Sequence, residues 1–376
     1  MTPKRYLLRR VLPHPNMISG SLYRDAIKMY KLPTDISIIT TYRCPMRCMM
    51  CNIWKNPTEP EKEIKPSELE MLPDFKFVNI TGGEPFVRED LEDIIEVMFR
   101  KSPRIVISTS GWMDERVIAL ARKYPRIGIR ISIEGMRDKN DELRGRSGGF
   151  DKGIGILREL KDMGLKDIGF GITVSNHNSA DMLELYRLSK ELGMEFATAA
   201  FHNSFYFHKY DNVITNAREV TDNFLRLIEA QLKEPSPKSW FRAYFNMGLI
   251  NYVNGGKRLL PCEAGSVNCF LDPYGEIYPC NGMEENKWKL SMGNIRSGKS
   301  FEEIWNSPEA EEVRRNVAEC QKNCWMVGTV SPVMKKKIIH PAAWVAANKF
   351  RSLVGLKPIL NARTRESINN NANCPK

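Results

Sequence analysis

The sequence has 376 residues, of which 42% are hydrophobic and 27% charged, an ordinary composition for a globular enzyme with one large core and a smaller module. Its net charge of +11 is carried by the two ends: residues 1–35 hold seven Lys and Arg against two Asp, and residues 333–376 hold nine against one Glu. A near-neutral middle lacks the positive stripe of a nucleic-acid-binding surface, so no nucleic-acid partner is expected, whereas basic ends fit an anionic membrane surface.

Cysteine usage and hydropathy indicate a reducing cytoplasm. Nine cysteines are too few for a disulfide scaffold in a chain of this length, and most of them cluster at 44–51 and 262–324, as metal ligands do. The sequence has no uninterrupted run of about 18 apolar residues, and its N-terminus lacks the apolar core of a signal peptide. We therefore expect a cytoplasmic protein that neither spans the membrane nor is exported.

From residue 36 the sequence alternates short β-branched runs with longer amphipathic runs, which is typical of βα units around a parallel sheet. Six strands are predicted, at Ile36–Thr41, Phe75–Thr81, Arg104–Ser108, Ile127–Ile133, Asp167–Val174 and Glu195–Phe201. Helices between them are predicted at Leu91–Arg100, Phe150–Met163 and Ala180–Leu192. The expected fold is α/β, a partial (β/α)6 TIM-like barrel whose active site lies in the loops after the strands.

The sequence changes character after this barrel. Residues 211–254 are predicted to be mostly helical with a break at Glu234–Pro237, and loop-rich, cysteine-bearing sequence follows. We predict a basic N-terminal segment at 1–35, a core barrel at 36–254, a small C-terminal domain at 255–330 and a basic amphipathic tail at 331–376.

The loop after the first predicted strand carries Cys44, Cys48 and Cys51 with C-x3-C-x2-C spacing. Three thiolates in one loop can hold three irons of a [4Fe–4S] cube and leave the fourth iron open. A structural zinc knuckle is the alternative, but zinc normally takes four ligands and no fourth Cys or His lies nearby. The motif resembles that of the radical S-adenosylmethionine (SAM) superfamily, in which the open iron chelates SAM, although Met50 stands where the superfamily usually has an aromatic residue.

Further loops resemble the SAM-binding segments of that superfamily. The GGEP sequence at 82–85 implies that Gly82, Gly83 and Glu84 contact the SAM amino group, although GGEP alone could be a strand-ending turn. Arg144 resembles the arginine that binds the SAM carboxylate in related enzymes. The alternative is that it is an ordinary solvated loop arginine. Three other SAM-site candidates follow from their positions after predicted strands: Ser108, Ser132 and Thr173.

A second group of cysteines surrounds a predicted hairpin with a Gly turn, and such a hairpin can bring two thiolates to one metal centre. The order of motifs between 262 and 324, ending in C-x3-C, resembles the SPASM or shorter twitch extension of radical SAM enzymes. The resemblance implies an auxiliary [4Fe–4S] cluster on Cys262, Cys280, Cys320 and Cys324. A full SPASM module has seven cysteines and two clusters, whereas this region has five, so one cluster is favoured with Cys269 structural. A zinc-binding hairpin is the alternative.

The resemblance also implies an activity. The reduced first cluster would cleave SAM to methionine and a 5′-deoxyadenosyl radical, which removes a hydrogen atom from substrate while the auxiliary cluster accepts a second electron. A low-potential flavodoxin-like or ferredoxin-like electron donor is the expected partner. Only 43 residues precede Cys44, where peptide maturases commonly carry a leader-binding domain, so a small-molecule, lipid or glycan substrate is expected. Peptide or protein maturation is the alternative; tRNA modification and an inactive binding protein rank below it.

The aromatic-rich stretch 201–210 follows the sixth predicted strand and is expected to cap the substrate pocket. It contains the catalytic candidates His202, Tyr206 and His208, and either histidine could deprotonate a substrate radical. Aromatic runs more often fill cores, however, and a histidine among them is more often hydrogen-bonded than catalytic.

The tail after Cys324 contains a run of lysines at 335–337 and an amphipathic helix with Lys349 and Arg351 on its polar side. Its apolar residues recur at helical spacing: Ala343, Ala346, Ala347, Phe350, Leu353 and Val354. A basic amphipathic helix can lie on the inner face of a membrane. It can equally dock on the barrel with its lysines solvated.

Overall fold

The computed structural model describes residues 30–283 and 289–372, so most of the basic segment predicted at 1–35 lies outside the described residues. Six parallel strands follow one another in chain order: β1 (Asp35–Ile39), β2 (Phe77–Thr81), β3 (Ile105–Thr109), β4 (Gly128–Ser132), β5 (Ile168–Val174) and β6 (Glu195–Ala200). Each pairs in parallel with the next. The predicted α/β partial barrel is confirmed, and the predicted strand ends lie within two residues of the observed ones.

Helices connect the strands and pack against the sheet. They are α1 (Leu91–Lys101), α2 (Asp114–Lys123), α3 (Arg137–Arg144), α4 (Gly149–Asp162), α5 (Met182–Glu191), α6 (Ala217–Lys233) and α7 (Pro237–Val253). Short 3-10 helices lie at Ile53–Lys55, Pro60–Lys62, Pro66–Met71, Pro85–Val87 and Ser179–Asp181. In α1, Leu91, Ile94, Ile95 and Met98 are buried at helical spacing, which makes one face of this helix part of the core.

The C-terminal module is joined to the barrel through the sheet itself. Its first strand, β7 (Asn268–Leu271), pairs in parallel with β1, and the short strands β8 (Glu276–Tyr278) and β9 (Gly293–Asn294) continue the sheet in antiparallel pairs. Helices α8 (Phe301–Trp305) and α9 (Pro308–Glu319) follow. The predicted boundary near 255 therefore falls just after α7, but the sheet runs across it.

Three helices form the tail: α10 (Val327–Lys336), α11 (Ile339–Leu353) and α12 (Ala362–Ala372). Helix α11 contacts both α6 and α7, and α12 contacts α7. Across residues 30–283 and 289–372, none of the helices combines the length and the apolar character needed to cross a membrane.

Candidate active site

The cysteine loop after β1 is held in place by the end of α3. The backbone amides of Arg47 and Met49 donate to the carbonyls of Arg144 (3.2 Å) and Leu143 (2.9 Å). Directly after this helix, Gly145 has φ 63°, and a Cβ there would lie 2.8 Å from the Arg47 carbonyl oxygen. The close approach therefore requires glycine, because this backbone conformation strains other residues and the space is already filled.

The three thiols of this loop, Cys44, Cys48 and Cys51, are half-buried and lie close to one another. Burial raises the pKa of Cys44 and of Cys51 to about 12, and it also raises the pKa of Cys48. The nearby Arg144 guanidinium opposes this effect at all three thiols. Cluster ligands are thiolates, so the fixed positive charge of Arg144 would help to stabilise these thiols in that form.

Arg144 also faces a buried carboxylate. Its Nη1 lies 3.6 Å from Oε1 of Glu134, and both side chains are almost completely buried. The other carboxylate oxygen of Glu134 accepts a hydrogen bond from the backbone amide of Thr173 (2.7 Å). Glu134, which follows β4, therefore links two predicted SAM-site residues, Arg144 and Thr173.

Glu84 lies beneath the loops and is completely buried. Its Oε1 accepts from the Thr109 hydroxyl (2.7 Å) and the Phe86 amide (3.2 Å). Its Oε2 accepts from the Ser110 amide (2.7 Å) and the Ser110 hydroxyl. These four bonds use the four acceptor positions of a carboxylate and tie the loop after β2 to the loop after β3. The predicted contact between Glu84 and the SAM amino group would require one of these bonds to be released.

Gly82 and Gly83 lie against the start of the cysteine loop. A Cβ on Gly82 would lie 2.6 Å from the Thr41 carbonyl oxygen, and one on Gly83 would lie 2.4 Å from that of Arg43. The amide of Gly83 donates to the Thr41 carbonyl (2.6 Å). Two glycines are thus needed at this turn for backbone packing, whatever contact they make with SAM.

The predicted hydroxyl residues Ser108 and Ser132 lie on β3 and at the end of β4. The Ser108 hydroxyl donates to Asn79 (3.0 Å), which joins the adjacent strands β3 and β2, and Ser132 is half-buried at the end of β4. The residues that reach Glu84 are instead Thr109 and Ser110, which follow Ser108 and were not predicted as site residues. Side-chain alternation along the strand could have separated Ser108 from Thr109, but no sequence signal identified Glu84 as their partner.

The loop at 201–212 bridges the cysteine loop, the glycine turn and the C-terminal module. The buried Tyr206 hydroxyl donates to the Gly82 carbonyl (2.6 Å), and burial raises its pKa. The Asn212 amide donates to the carbonyls of Met50 (3.1 Å) and His202 (2.9 Å). On the other side, the Ser204 hydroxyl donates to the Asn281 carbonyl. Asn212 was not predicted as a site residue, because a loop asparagine without a motif gives no sequence signal.

The two candidate histidines differ in their surroundings. His202 Nδ1 lies 2.9 Å from the Ala200 carbonyl, which can only accept, so Nδ1 carries the proton. Its Nε2 is buried without a hydrogen-bond partner among the described residues, and burial lowers the pKa of this imidazole. The His208 ring packs edge-to-face on Tyr42, with ring centroids 5.4 Å apart.

The second cysteine group assembles around the hairpin of the C-terminal module. Burial, together with the nearby thiols of Cys324 and Cys262, raises the pKa of Cys280 to about 12. Burial also raises the pKa of Cys324, and the nearby thiols of Cys262 and Cys320 add to this effect. The structure thus brings together the four thiols predicted from the sequence.

Cys269 stands apart from these four. It is buried in β7 within the main core, and burial raises its pKa. Residues from both cysteine groups pack against a single apolar cluster that contains Tyr42, Phe205 and Tyr206. The two cysteine groups are therefore linked through this one apolar cluster.

The donors fit iron–sulfur clusters in their chemistry, because both groups consist of cysteine thiols. Three thiols would leave one iron of a [4Fe–4S] cluster to a non-protein ligand, and four thiols would supply a ligand to every iron. Within residues 30–283 and 289–372, no three His, Cys, Asp or Glu side chains meet at a point suited to one metal ion. Arg258 adds a positive charge beside the second group, since its Nη1 lies 3.6 Å from the Cys324 sulfur.

The structural role of Glu84 can be tested by replacing it. We expect Glu84→Ala to lower the free energy of unfolding by about 2–4 kcal/mol, because it leaves several buried donors unpaired. The control is Glu89→Ala, an exposed carboxylate five residues away, which we expect to change stability by less than about 0.5 kcal/mol. Denaturant unfolding of both variants measures the difference. Equal stability of the two variants would contradict the role given to Glu84.

This fold, with a three-thiol loop after β1 and a four-thiol group on an extension of the same sheet, defines an iron–sulfur enzyme of the SAM-dependent kind. A family model of the radical SAM superfamily matches residues 38–189, and a model of the SPASM iron–sulfur cluster-binding domain matches residues 262–325. The chain belongs to the radical SAM superfamily and carries a SPASM domain. It is an enzyme that uses a [4Fe–4S] cluster with SAM, together with auxiliary iron–sulfur chemistry.

Similar proteins include the mycofactocin maturase MftC of Mycobacterium tuberculosis, which is 24% identical over 283 residues, 73% of this chain and 71% of that protein. An AdoMet-dependent heme synthase of Methanosarcina barkeri is 23% identical over 332 residues, 79% of this chain and 89% of that protein.

Two solved structures share the fold. Streptococcus suis SuiB bound to precursor peptide SuiA has a TM-score of 0.56 at 17% identity and covers 78% of this chain and 69% of its own. The enzyme anSMEcpe with bound AdoMet and Cp18Cys peptide has a TM-score of 0.57 at 16% identity and covers 91% of this chain and 97% of its own.

Proposed function

We propose that this enzyme is a peptide or protein maturase that modifies side chains by radical chemistry, rather than the small-molecule, lipid or glycan enzyme first expected from its sequence. Support comes from the solved structures of similar fold that hold peptides, SuiB and anSMEcpe, and from the similarity to a maturase. The observation in this chain that carries the proposal is the apolar cluster that both cysteine groups contact, because it links the two groups within one packed region of the fold.

In this proposal Cys44, Cys48 and Cys51 hold the SAM-cleaving cluster, and Cys262, Cys280, Cys320 and Cys324 hold one auxiliary cluster. When bound, the first cluster supplies the electron that cleaves SAM to methionine and a 5′-deoxyadenosyl radical, which removes a hydrogen atom from the substrate. The electron would come from a low-potential flavodoxin-like or ferredoxin-like donor, in the cytoplasm.

The chain's own residues orient the reactants. Arg144 would hold the SAM carboxylate through its planar guanidinium while remaining paired with Glu134. Tyr206 fixes the glycine turn by its bond to the Gly82 carbonyl, so it positions the SAM site. His202 is our candidate to accept a proton from an oxidised substrate, because its Nδ1 holds the ring proton against the Ala200 carbonyl and leaves Nε2 unprotonated.

The test uses the source organism's low-molecular-weight extract as a substrate pool for the reconstituted enzyme, with SAM and dithionite. We expect the extract to raise 5′-deoxyadenosine formation above the rate without substrate, because a bound C–H donor consumes the radical productively. Treating the extract with a protease and then inactivating the protease should remove this stimulation. The control extract receives protease that was inactivated beforehand.

Stimulation that survives proteolysis would reject a peptide substrate. It would favour a second candidate, a small organic molecule, which the similarity to a heme synthase over 89% of that protein's length also supports.

A further inference from the structure

Helix α11 presents its polar side to the protein body. The Lys349 ammonium donates to the carbonyls of Leu232 (2.6 Å) and Glu234 (2.9 Å) at the end of α6. Asn348 is buried, and its amide donates to the Ile359 carbonyl (3.2 Å). Trp344 packs edge-to-face on Tyr244 of α7, with ring centroids 5.7 Å apart. The expectation that a docked helix would leave Lys349 solvated is therefore wrong: this lysine is one of the groups that attach the helix.

The opposite side of α11 is apolar and exposed. Residues spaced four and three apart form a stripe along the helix, which we call the apolar stripe: Ile339, Ala343, Ala346, Phe350 and Leu353. Ile339, Phe350 and Leu353 are 79%, 67% and 77% exposed. Within the described part of the chain, seven of the thirteen large exposed apolar side chains lie between 338 and 359. Such a concentration marks an interaction surface, because scattered exposed apolar residues are the usual pattern.

Positive charges flank the apolar stripe at both ends. Lys335 precedes it, Lys357 and Arg363 follow it, and all three are exposed. Lys336 is already paired with Glu263 and is not counted. Between residues 333 and 376 the only acidic residue is Glu366. The apolar stripe is thus an exposed hydrophobic surface inside a basic rim.

This charge pattern distinguishes between the partners that could cover the apolar stripe. A second copy of the chain would bring two basic rims together, and the chain's own residues 1–29 hold six Lys and Arg against Asp25 alone. Both occupants would add like charges. An anionic lipid surface complements the rim, and its acyl region accepts Phe350 and Leu353.

We propose that α11 lies in the surface of an anionic membrane, with its apolar stripe inserted between lipid headgroups and its basic rim on the anionic phosphates. This contact is independent of the substrate proposed above. It places the enzyme on the membrane without a spanning segment.

The test is flotation of the full chain with vesicles of phosphatidylcholine alone or mixed with phosphatidylglycerol. We expect binding to the mixed vesicles, weaker binding at high salt and little binding to phosphatidylcholine. The variant Phe350→Asp/Leu353→Asp should bind at least about tenfold more weakly, because both side chains lose their apolar contact. The control Val213→Asp changes a side chain of similar exposure, 62%, outside the apolar stripe and should bind like wild type.

A second variant, Lys335→Glu/Lys357→Glu, removes basic rim charges without touching the apolar stripe and should also weaken binding to the mixed vesicles. Thermal unfolding of every variant shows that the fold is kept. Failure of the wild type to float with mixed vesicles overturns the proposal. So does equal flotation of wild type and the Phe350→Asp/Leu353→Asp variant. A concentration-dependent dimer that this variant breaks, without flotation, would assign the apolar stripe to a second copy.

Discussion

Replacing Cys44, Cys48 and Cys51 together with alanine will abolish 5′-deoxyadenosine formation and remove about four irons per chain. In the proposed site these three thiols of the loop after β1 hold the cluster, and alanine offers iron no donor. The barrel should keep its fold, because thiols are weak acceptors and the bond lost from the Ile53 amide to the Cys51 sulfur (3.4 Å) costs little. Iron is quantified after anaerobic reconstitution, and the nucleoside is measured after dithionite reduction with SAM.

The matched control for this variant is Met49→Ala, which changes a 41% exposed side chain of the same loop. It should keep full iron content and nucleoside formation. Formation of 5′-deoxyadenosine by the triple alanine variant would contradict the assignment of the three cysteines.

The second large effect concerns the C-terminal module. Cys262→Ala should retain SAM cleavage but lose product formation, because the auxiliary cluster would lose a ligand while the first cluster and its loop stay intact. Substrate-independent 5′-deoxyadenosine should stay close to the wild-type amount, and iron should fall by up to about four per chain. Iron analysis and mass spectrometry of the reaction products give both readouts.

Cys269→Ala is the control for this experiment, since Cys269 is buried in β7, apart from the other four thiols of the module. It should keep all the iron and full turnover. Unchanged turnover of Cys262→Ala would remove the auxiliary cluster from the reaction, and iron loss from Cys269→Ala would give this cysteine a ligand role.

Much of the fold could be predicted from the sequence, because local patterns determine it. The alternation of β-branched and amphipathic runs gave six strands within two residues of their observed ends. The pairing of β7 with β1 could not be predicted, since it joins residues more than 230 positions apart and leaves no local pattern. The core barrel and the small module therefore looked like separate units although they share one sheet.

Site residues that belong to a sequence motif could be predicted. Contacts between residues far apart in the chain could not. The spacing of Cys44, Cys48 and Cys51 predicted a cluster on this loop, and the structure places the three thiols close to one another. Glu84 was selected for SAM binding, yet its carboxylate is used by Thr109 and Ser110, which only the parallel register of β2 and β3 brings within reach.

The orientation of α11 also could not be predicted from the sequence. Helical spacing identified its apolar and polar sides, and the usual rule turns the apolar side inward. The structure turns it outward because Lys349 finds carbonyl partners at the end of α6 and Trp344 packs on Tyr244 of α7, while Asn348 bonds the Ile359 carbonyl within the tail.

The most direct test of the account is anaerobic reconstitution of the wild-type chain, with iron counted and 5′-deoxyadenosine measured after dithionite reduction in the presence of SAM and the peptide-containing extract. We predict about eight irons per chain, from two [4Fe–4S] clusters, and nucleoside in excess of SAM-free controls. Fully loaded protein that forms no nucleoside under these conditions would contradict radical SAM chemistry in this chain.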